Sequence, residues 1–387
     1  MNRIPLAVPN VGEGEARNLQ RCIDTTFVSS VGEFVTEFET RVATLSGTEK
    51  GVATGAGTLA LHMALHCQGI GQGDLVILPS FTFIASANAV MHSGARPWLF
   101  DITRDSWTLD PQQVRAALET HSHVVDNVLR HKETGERIAA IMPVYTLGTP
   151  GDMEQLGAIG KDYNLPIIAD AAAAIGVNYK DNPIGDVATL TCYSFNGNKT
   201  ITCGGGGMVV GNDAELMARI KHVSTTARTS AAYEHDEVGY NYRMTNLQAA
   251  VGVAQLDRLQ DFLNTKRRIR YNYDEAFKTI SGISSFPFPK DRGSACWFSG
   301  FVVEDTHLPT PTEICAQLSK SNIEARVFWK PVHLQAPYAD VPKVDQTITE
   351  DTWDRIVTLP CSTLLTETEQ AFVIEKTLEI LQQAAPG

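Results

Sequence analysis

Between residues 51 and 176 the chain repeats one pattern, an apolar run without alternation followed by a segment with helical spacing of its apolar residues. GVATG precedes TLALHMALHCQG, LVILPSFTFIA precedes SANAVMHSG, and RPWLFDI leads through a polar turn to DPQQVRAALET. RIAAIMPVY is followed by DMEQLGAIGKDY, and LPIIAD runs on into AAAAIG. A strand that is apolar at every position is buried on both faces, and a helix between two such strands is the crossover that a parallel sheet needs. The pattern predicts an α/β fold, a large domain with a mainly parallel sheet covered on both sides. Ligands of such sheets gather at the carboxyl ends of the strands. After an N-terminal arm, a helix is expected at about 12–25. The polar stretch THSHVVDNVLRHKETGE (120–136) reads as an inserted loop. A long helical region from about 245 to 280 crosses into a smaller α/β domain containing strand WFSGFVV and helices TPTEICAQLSK and ETEQAFVIEKTLEILQQA. The expected division is 1–255 for the arm and large domain and 256–387 for the small C-terminal domain, and 387 residues are enough for two cores.

Three items with chemical potential fall where strands stop. LPIIAD ends in Asp170, GVAT ends in Gly55-Ala56-Gly57-Thr58 directly before a helix, and CYSF brings Ser194 and then Lys199. Lys199 stands in a turn between two strands, just ahead of four glycines, Gly204 to Gly207. A phosphate-binding P-loop needs glycine directly before its lysine and again five residues earlier, and those positions hold Asn198 and Tyr193. A dinucleotide fingerprint fails as well, because Val209 takes the place of its third glycine and no helix opens there. What remains for Lys199 is a nucleophilic amine or a solvated surface lysine. An amine able to form a Schiff base, a carboxylate able to keep a pyridinium nitrogen protonated, and a helix N-terminus able to hold a phosphate are together what pyridoxal phosphate demands.

Charge and cysteine usage narrow the setting. The net charge is −12, and no basic cluster exceeds Lys266–Arg267–Arg268, which argues against nucleic acid as a partner. Seven scattered cysteines without a C-x-x-C fit reduced thiols in the cytoplasm rather than a disulfide framework or a zinc site. MNRIPLAVPNVGEGE is neither a signal peptide nor a membrane anchor, and no segment has the length of a membrane span. His62 and His66 share the i, i+4 spacing of H-E-x-x-H, but Met63 replaces the glutamate, so no metal is expected.

DAAAAIG (170–176), SFNGNKTITCGGGGMVV (194–210) and GYNYRMTNLQAAVGVAQLDRL (239–259) resemble the sugar aminotransferases of the DegT/StrS type, a fold-type-I pyridoxal-phosphate family. TTFVSSVGEFVTEFE (25–39) together with HKETGERIAAIMPVYTLG is most similar to the LegC-like branch, whose substrate is UDP-4-keto-6-deoxy-N-acetylglucosamine. The resemblance implies that Lys199 forms the Schiff base with the cofactor and acts as general base, and that Asp170 pairs with the pyridine nitrogen. It implies phosphate contacts from Gly57, Thr58 and Ser194, ring stacking by Phe83, and a homodimer in which Asn241 reaches the neighbour's phosphate. Ser29, Ser30, Arg228 and His333 stand where the family binds its nucleotide-sugar. The implied reaction moves an amino group from glutamate to C4 of the UDP-linked keto-sugar. Amination at C3, or of a dTDP- or GDP-linked sugar, stays open, because Ala173 replaces the Gln, His or Glu that relatives often carry there. The family's dehydratases have histidine in place of the Schiff-base lysine, so Lys199 argues against that activity.

Overall fold

The computed structural model describes residues 2–384. Its main sheet contains β1 (Lys50–Thr54), β2 (Asp74–Pro79) and β3 (Arg96–Phe100), followed in the chain by β4 (Ser122–Val125), β5 (Val128–His131), β6 (Arg137–Ile141) and β7 (Ile168–Asp170). A short ribbon of β8 (Asn178–Tyr179) and β9 (Asn182–Pro183) precedes β10 (Leu190–Ser194) and β11 (Gly207–Gly211). The order β1-β11-β10-β7 continues to β6-β2-β3 through the parallel bridges Ile141 to Ile167 and Val144 to Asp170. Only β11 runs against its neighbours in this array, and the antiparallel pair β5-β4 is added beside β6, so the sheet is mainly parallel. Adjacent residues of β2 show why its sequence does not alternate. Leu75 and Ile77 enter the core on one face, and Val76 and Leu78 enter the core on the other.

A second, antiparallel sheet has the order β12-β13-β15-β14, from β12 (Ile283–Ser285), β13 (Ser299–Val303), β14 (Arg326–Val327) and β15 (Ile356–Leu359). It has its own core, shared with the helices Leu259–Phe277, Pro311–Lys320 and Glu367–Ala384. The N-terminal arm packs here rather than on the main sheet. Ile4 and Leu6 are buried in the second core, the Ile4 N–H donates to the Asn322 carbonyl (2.8 Å), and the Cys361 N–H donates to the Leu6 carbonyl (2.8 Å). The arm therefore crosses the division drawn at 255/256.

Three local features differ from the sequence reading. Residues 122–131 form a hairpin of β4 and β5, not a loop, closed by Asp126 and Asn127 at φ of 51° and 60°. Two left-handed residues in a two-residue turn match the right-handed twist of the strands, and Asp and Asn tolerate that conformation best after glycine. The long helical region is two helices, Asn246–Asp257 and Leu259–Phe277, separated at Arg258. The break lets the first bury Ala249, Ala250 and Val253 in the main core while the second turns Ile269, Tyr273 and Phe277 into the other. Helices at Glu33–Leu45 and Ala214–Ser224 were not expected. No helix among the described residues is long and apolar enough to cross a membrane.

Candidate active site

The carboxyl ends of β7 and β10 and the N-terminus of the Gly57–Cys67 helix open onto one cavity of about 530 Å3. Lys199, Asp170, Ser194, Gly57, Thr58 and Phe83 all line it. Asp170 is buried and held from both sides. One carboxylate oxygen accepts from the Ser86 hydroxyl (2.7 Å) and the other from the Ala172 N–H (3.0 Å). Burial raises its pKa above the usual carboxylate value, while the two hydrogen bonds and the charge of Lys199 oppose that rise. A carboxylate has about four acceptor positions, so Asp170 retains capacity for a further donor from the cavity.

Lys199 follows the turn after β10. Solvent reaches it from the cavity, but protein encloses it, and burial brings its pKa down from 10.5 to about 8 against the opposing pull of Asp170. Its Nζ stands 3.7 Å from the centroid of the Trp297 ring.

In the same cavity, the Gly57–Cys67 helix starts after Ala56, which supplies no side-chain cap. Its first N–H groups are thus left for an anion. Two glycines make this approach possible. A Cβ on Gly57 would lie 2.7 Å from the Ser194 Cβ, and one on Gly207 would lie 2.5 Å from the Ala56 carbonyl oxygen. The last glycine of the run after Lys199 therefore presses β11 against the helix start that carries Gly57. A bare helix N-terminus beside two hydroxyls, a buried carboxylate and an amine of lowered pKa fit the phosphate, ring nitrogen and carbonyl of pyridoxal phosphate.

Other expected residues lie elsewhere. Ser29, Arg228 and Asn241 are exposed, Ser30 is partly exposed, and none of the four lines the cavity. His333 is buried outside it, with Nδ1 at 2.6 Å from the Ser80 hydroxyl and Nε2 at 3.0 Å from Glu350. Serine, histidine and glutamate here have the connectivity of a hydrolytic triad, but Ser80 is fully buried, so the set ties β2 to the 332–350 segment rather than meeting a substrate. His62 is also buried, with no partner for either ring nitrogen, and burial lowers its pKa to about 4.

Two contributors were missed in the sequence. Ser86, in the first turn of the Ala85–His92 helix, holds Asp170 and is itself 2.9 Å from the Thr82 hydroxyl. Trp297 comes from just ahead of β13 and brings Trp329 and Phe328 with it. A serine between two alanines at the helix start was the only local signal for Ser86; Trp297 left none. Ser86→Ala should lower kcat about tenfold, since a hydrogen bond to a charged group contributes about 1.5 kcal/mol. Steady-state rates at saturating substrate check this, and an unchanged kcat would count against Ser86 as a support of Asp170.

Comparison with known proteins gives this chemistry a lineage. Residues 9–378 match the DegT/DnrJ/EryC1/StrS aminotransferase family. GDP-perosamine synthase of Caulobacter vibrioides is 34% identical over 98% of each chain. The putative pyridoxal phosphate-dependent aminotransferase EpsN of Bacillus subtilis is 33% identical over 80% of this chain and 78% of its own. A DegT/DnrJ/EryC1/StrS aminotransferase from Brucella abortus superposes with a TM-score of 0.86 at 29% identity, covering 95% of both chains. The sugar aminotransferase Spr1654 of Streptococcus pneumoniae, described as putative and solved in its PMP form, superposes at 0.87 with 25% identity over 99% of this chain and 98% of its own. The chain belongs to the DegT/DnrJ/EryC1/StrS aminotransferase family and is a pyridoxal-phosphate-dependent sugar aminotransferase.

Proposed function

We propose that this enzyme moves an amino group from glutamate to C4 of a nucleotide-linked keto-sugar, UDP-4-keto-6-deoxy-N-acetylglucosamine, in the cytoplasm. The reading rests above all on one observation: Lys199 and Asp170 share a cavity with the uncapped N-terminus of the Gly57–Cys67 helix. Bound pyridoxal phosphate supplies the carbonyl that carries the amino group and the ring that spreads the charge of a deprotonated carbon. The chain's own residues do the rest. The N–H groups of Gly57 and Thr58 and the hydroxyls of Thr58 and Ser194 would hold the phosphate, and Phe83, from the same cavity, would supply an aromatic face to the ring. Asp170 keeps the ring nitrogen protonated. Lys199, with its pKa lowered to about 8, has a neutral fraction at physiological pH that can accept and hold the proton of the substrate carbon. The aromatic wall of Trp297, Phe328 and Trp329 keeps water from that proton.

Asn241, Arg228 and Ser29 serve this scheme from a second copy of the chain. All three are exposed and outside their own cavity, and Ser29 lies among Phe27, Val28 and Val31, which are 52%, 43% and 60% exposed. A homodimer would cover that apolar surface and bring Asn241 to the partner's phosphate. The same contacts would give Ser30 a nucleotide-sugar to bind, whereas the ring of His333 is already committed within its own chain.

The UDP-sugar is favoured by the LegC-like segments 25–39 and 131–148. A GDP-linked 4-keto-6-deoxy sugar is the second reading, favoured by relatives named GDP-perosamine synthase that align over 97–98% of the chain. One experiment separates them. Glutamate is added until the visible absorbance of the bound cofactor bleaches, excess donor is removed, and each keto-sugar is supplied in turn. We expect the absorbance to return with UDP-4-keto-6-deoxy-N-acetylglucosamine and the product to carry nitrogen at C4 by NMR. Recovery with the GDP-sugar alone would replace the first reading with the second, and nitrogen at C3 would overturn the position.

A further inference from the structure

Trp297 is fixed from several directions although it sits in a loop. Its backbone N–H donates to the Leu147 carbonyl (3.0 Å), its carbonyl accepts from the buried Lys266 Nζ (2.9 Å), and its indole N–H donates to the Asn198 carbonyl (2.7 Å). The residue is only 4% exposed. Asn198 is the neighbour of Lys199, so one indole anchors the lysine's backbone through its edge and meets the lysine's amine, at 3.7 Å, with its face. We infer that the face of Trp297 is the resting place of the Lys199 amine whenever that amine is not bonded to the cofactor, and that it selectively stabilises the protonated amine. The inference rests on the assignment of Lys199 to the cofactor.

The physical ground is the quadrupole of the indole. A cation over the negative face of a tryptophan is attracted, most strongly where water is excluded, whereas a neutral amine gains little. Burial works in the opposite direction, against the charged form. The other charges facing this amine can be named. Asp170, from β7, favours the ammonium. Arg326, from β14, lines the same cavity but is paired with Glu324 at 2.6 Å. Lys266 lies behind Trp297, with its amine engaged by the Trp297 and Cys361 carbonyls. When Lys199 takes the proton from the substrate carbon it becomes an ammonium, and the electron pair of the broken C–H bond stays with the carbon. A ring that favours the ammonium favours this transfer. Trp297 is thus a positioning residue that acts through Lys199.

The test uses the cofactor-free protein carrying 13C-labelled lysine, with the Lys199 signal identified by its loss in Lys199→Arg. In the wild type the signal should titrate with a midpoint near 8. Trp297→Leu should lower that midpoint by about one pH unit, and Trp297→Phe, which keeps an aromatic face, should restore most of it. An unchanged midpoint in a folded Trp297→Leu protein would overturn the inference. A second reading needs no fragile variant. The indole emission that disappears in Trp297→Phe should change with pH around the same midpoint in the wild type and stay flat in Lys199→Met; a pH response surviving in Lys199→Met would also overturn it. Borohydride reduction of the loaded enzyme, followed by peptide mass analysis, tests the underlying assignment separately, because cofactor found on another lysine would leave the titrations intact while removing their catalytic meaning.

Discussion

Lys199→Ala is expected to abolish steady-state transamination, with kcat lowered by at least about 10^3-fold, while the protein still folds. Two roles disappear together, the covalent anchor of the cofactor and the base that moves the proton, and a positioned base alone contributes about 10^2- to 10^4-fold. Folding survives because the amine costs stability rather than supplying it. A pKa brought from 10.5 to about 8 corresponds to on the order of 3 kcal/mol against the charged form. The sign follows from proton counts. Between about 8 and 10.5 the unfolded chain binds the proton and the native chain does not, so this group adds stability as pH rises through that window. Below about 8 the penalty is fully present. In Lys199→Met, which keeps the stem of the side chain, the thermal midpoint of the cofactor-free protein at pH 7 should equal or exceed that of the wild type, and the difference should shrink towards pH 10. Appreciable turnover by Lys199→Ala without added amine would refute the assignment, and a Lys199→Met protein melting well below wild type would refute the account of its burial.

Asp170→Ala carries the next largest effect, a loss in kcat of about 10^2- to 10^3-fold, comparable to removing a preorganised group that faces developing charge. The carboxylate is buried and accepts from Ser86 and Ala172, so its removal takes away the charge facing the ring nitrogen and leaves both donors without their acceptor. Asp170→Asn is the more informative variant, because it preserves shape and removes charge. It should bind pyridoxal phosphate, show a similar loss in kcat, and lower the Lys199 midpoint, since the Asp170 charge raises that pKa. Its stability effect has the opposite sign to its activity effect. A carboxyl with a raised native pKa keeps its proton to higher pH than the unfolded chain does, so stability falls as pH rises above 3.8 through the native value. Near-wild-type activity in either variant would contradict the pairing of Asp170 with the cofactor.

How much of this was legible in the chain depends on how local each signal was. β2 and β7 announced themselves because a doubly buried strand must be apolar throughout, and Asp170 stood out as the first charge at the end of such a run. Gly57, Thr58, Ser194 and Lys199 fell at strand ends for the same reason, and all of them line the cavity. The β4–β5 hairpin was hidden because its strands are buried at only two positions, Ser122 and His131, so its polar composition concealed a two-residue Asp-Asn turn. Ser86 and Trp297 were hidden because their partners are distant in the chain, Asp170 for one and Lys199 for the other. His333 had a nucleotide-sugar role by resemblance alone, and its ring proved to be occupied by Ser80 and Glu350. Asn241 and Arg228 lie outside the cavity of their own chain, where no pattern along one chain can say what they meet.

The arm that carries Ile4 and Leu6 has a consequence for the order of assembly. Its partners, Asn322 and Cys361, lie near the other end of the chain. During synthesis from the N-terminus, the strands of the main sheet have all emerged once Gly211 is out, while Ile4 and Leu6 still lack the surface they bury against. The segment with Ile4 and Leu6 therefore waits through most of translation with two apolar side chains uncovered, and the second core closes last, by capture of a segment made well before it. A shortened protein lacking its first eight residues would lose a piece of core rather than a tail.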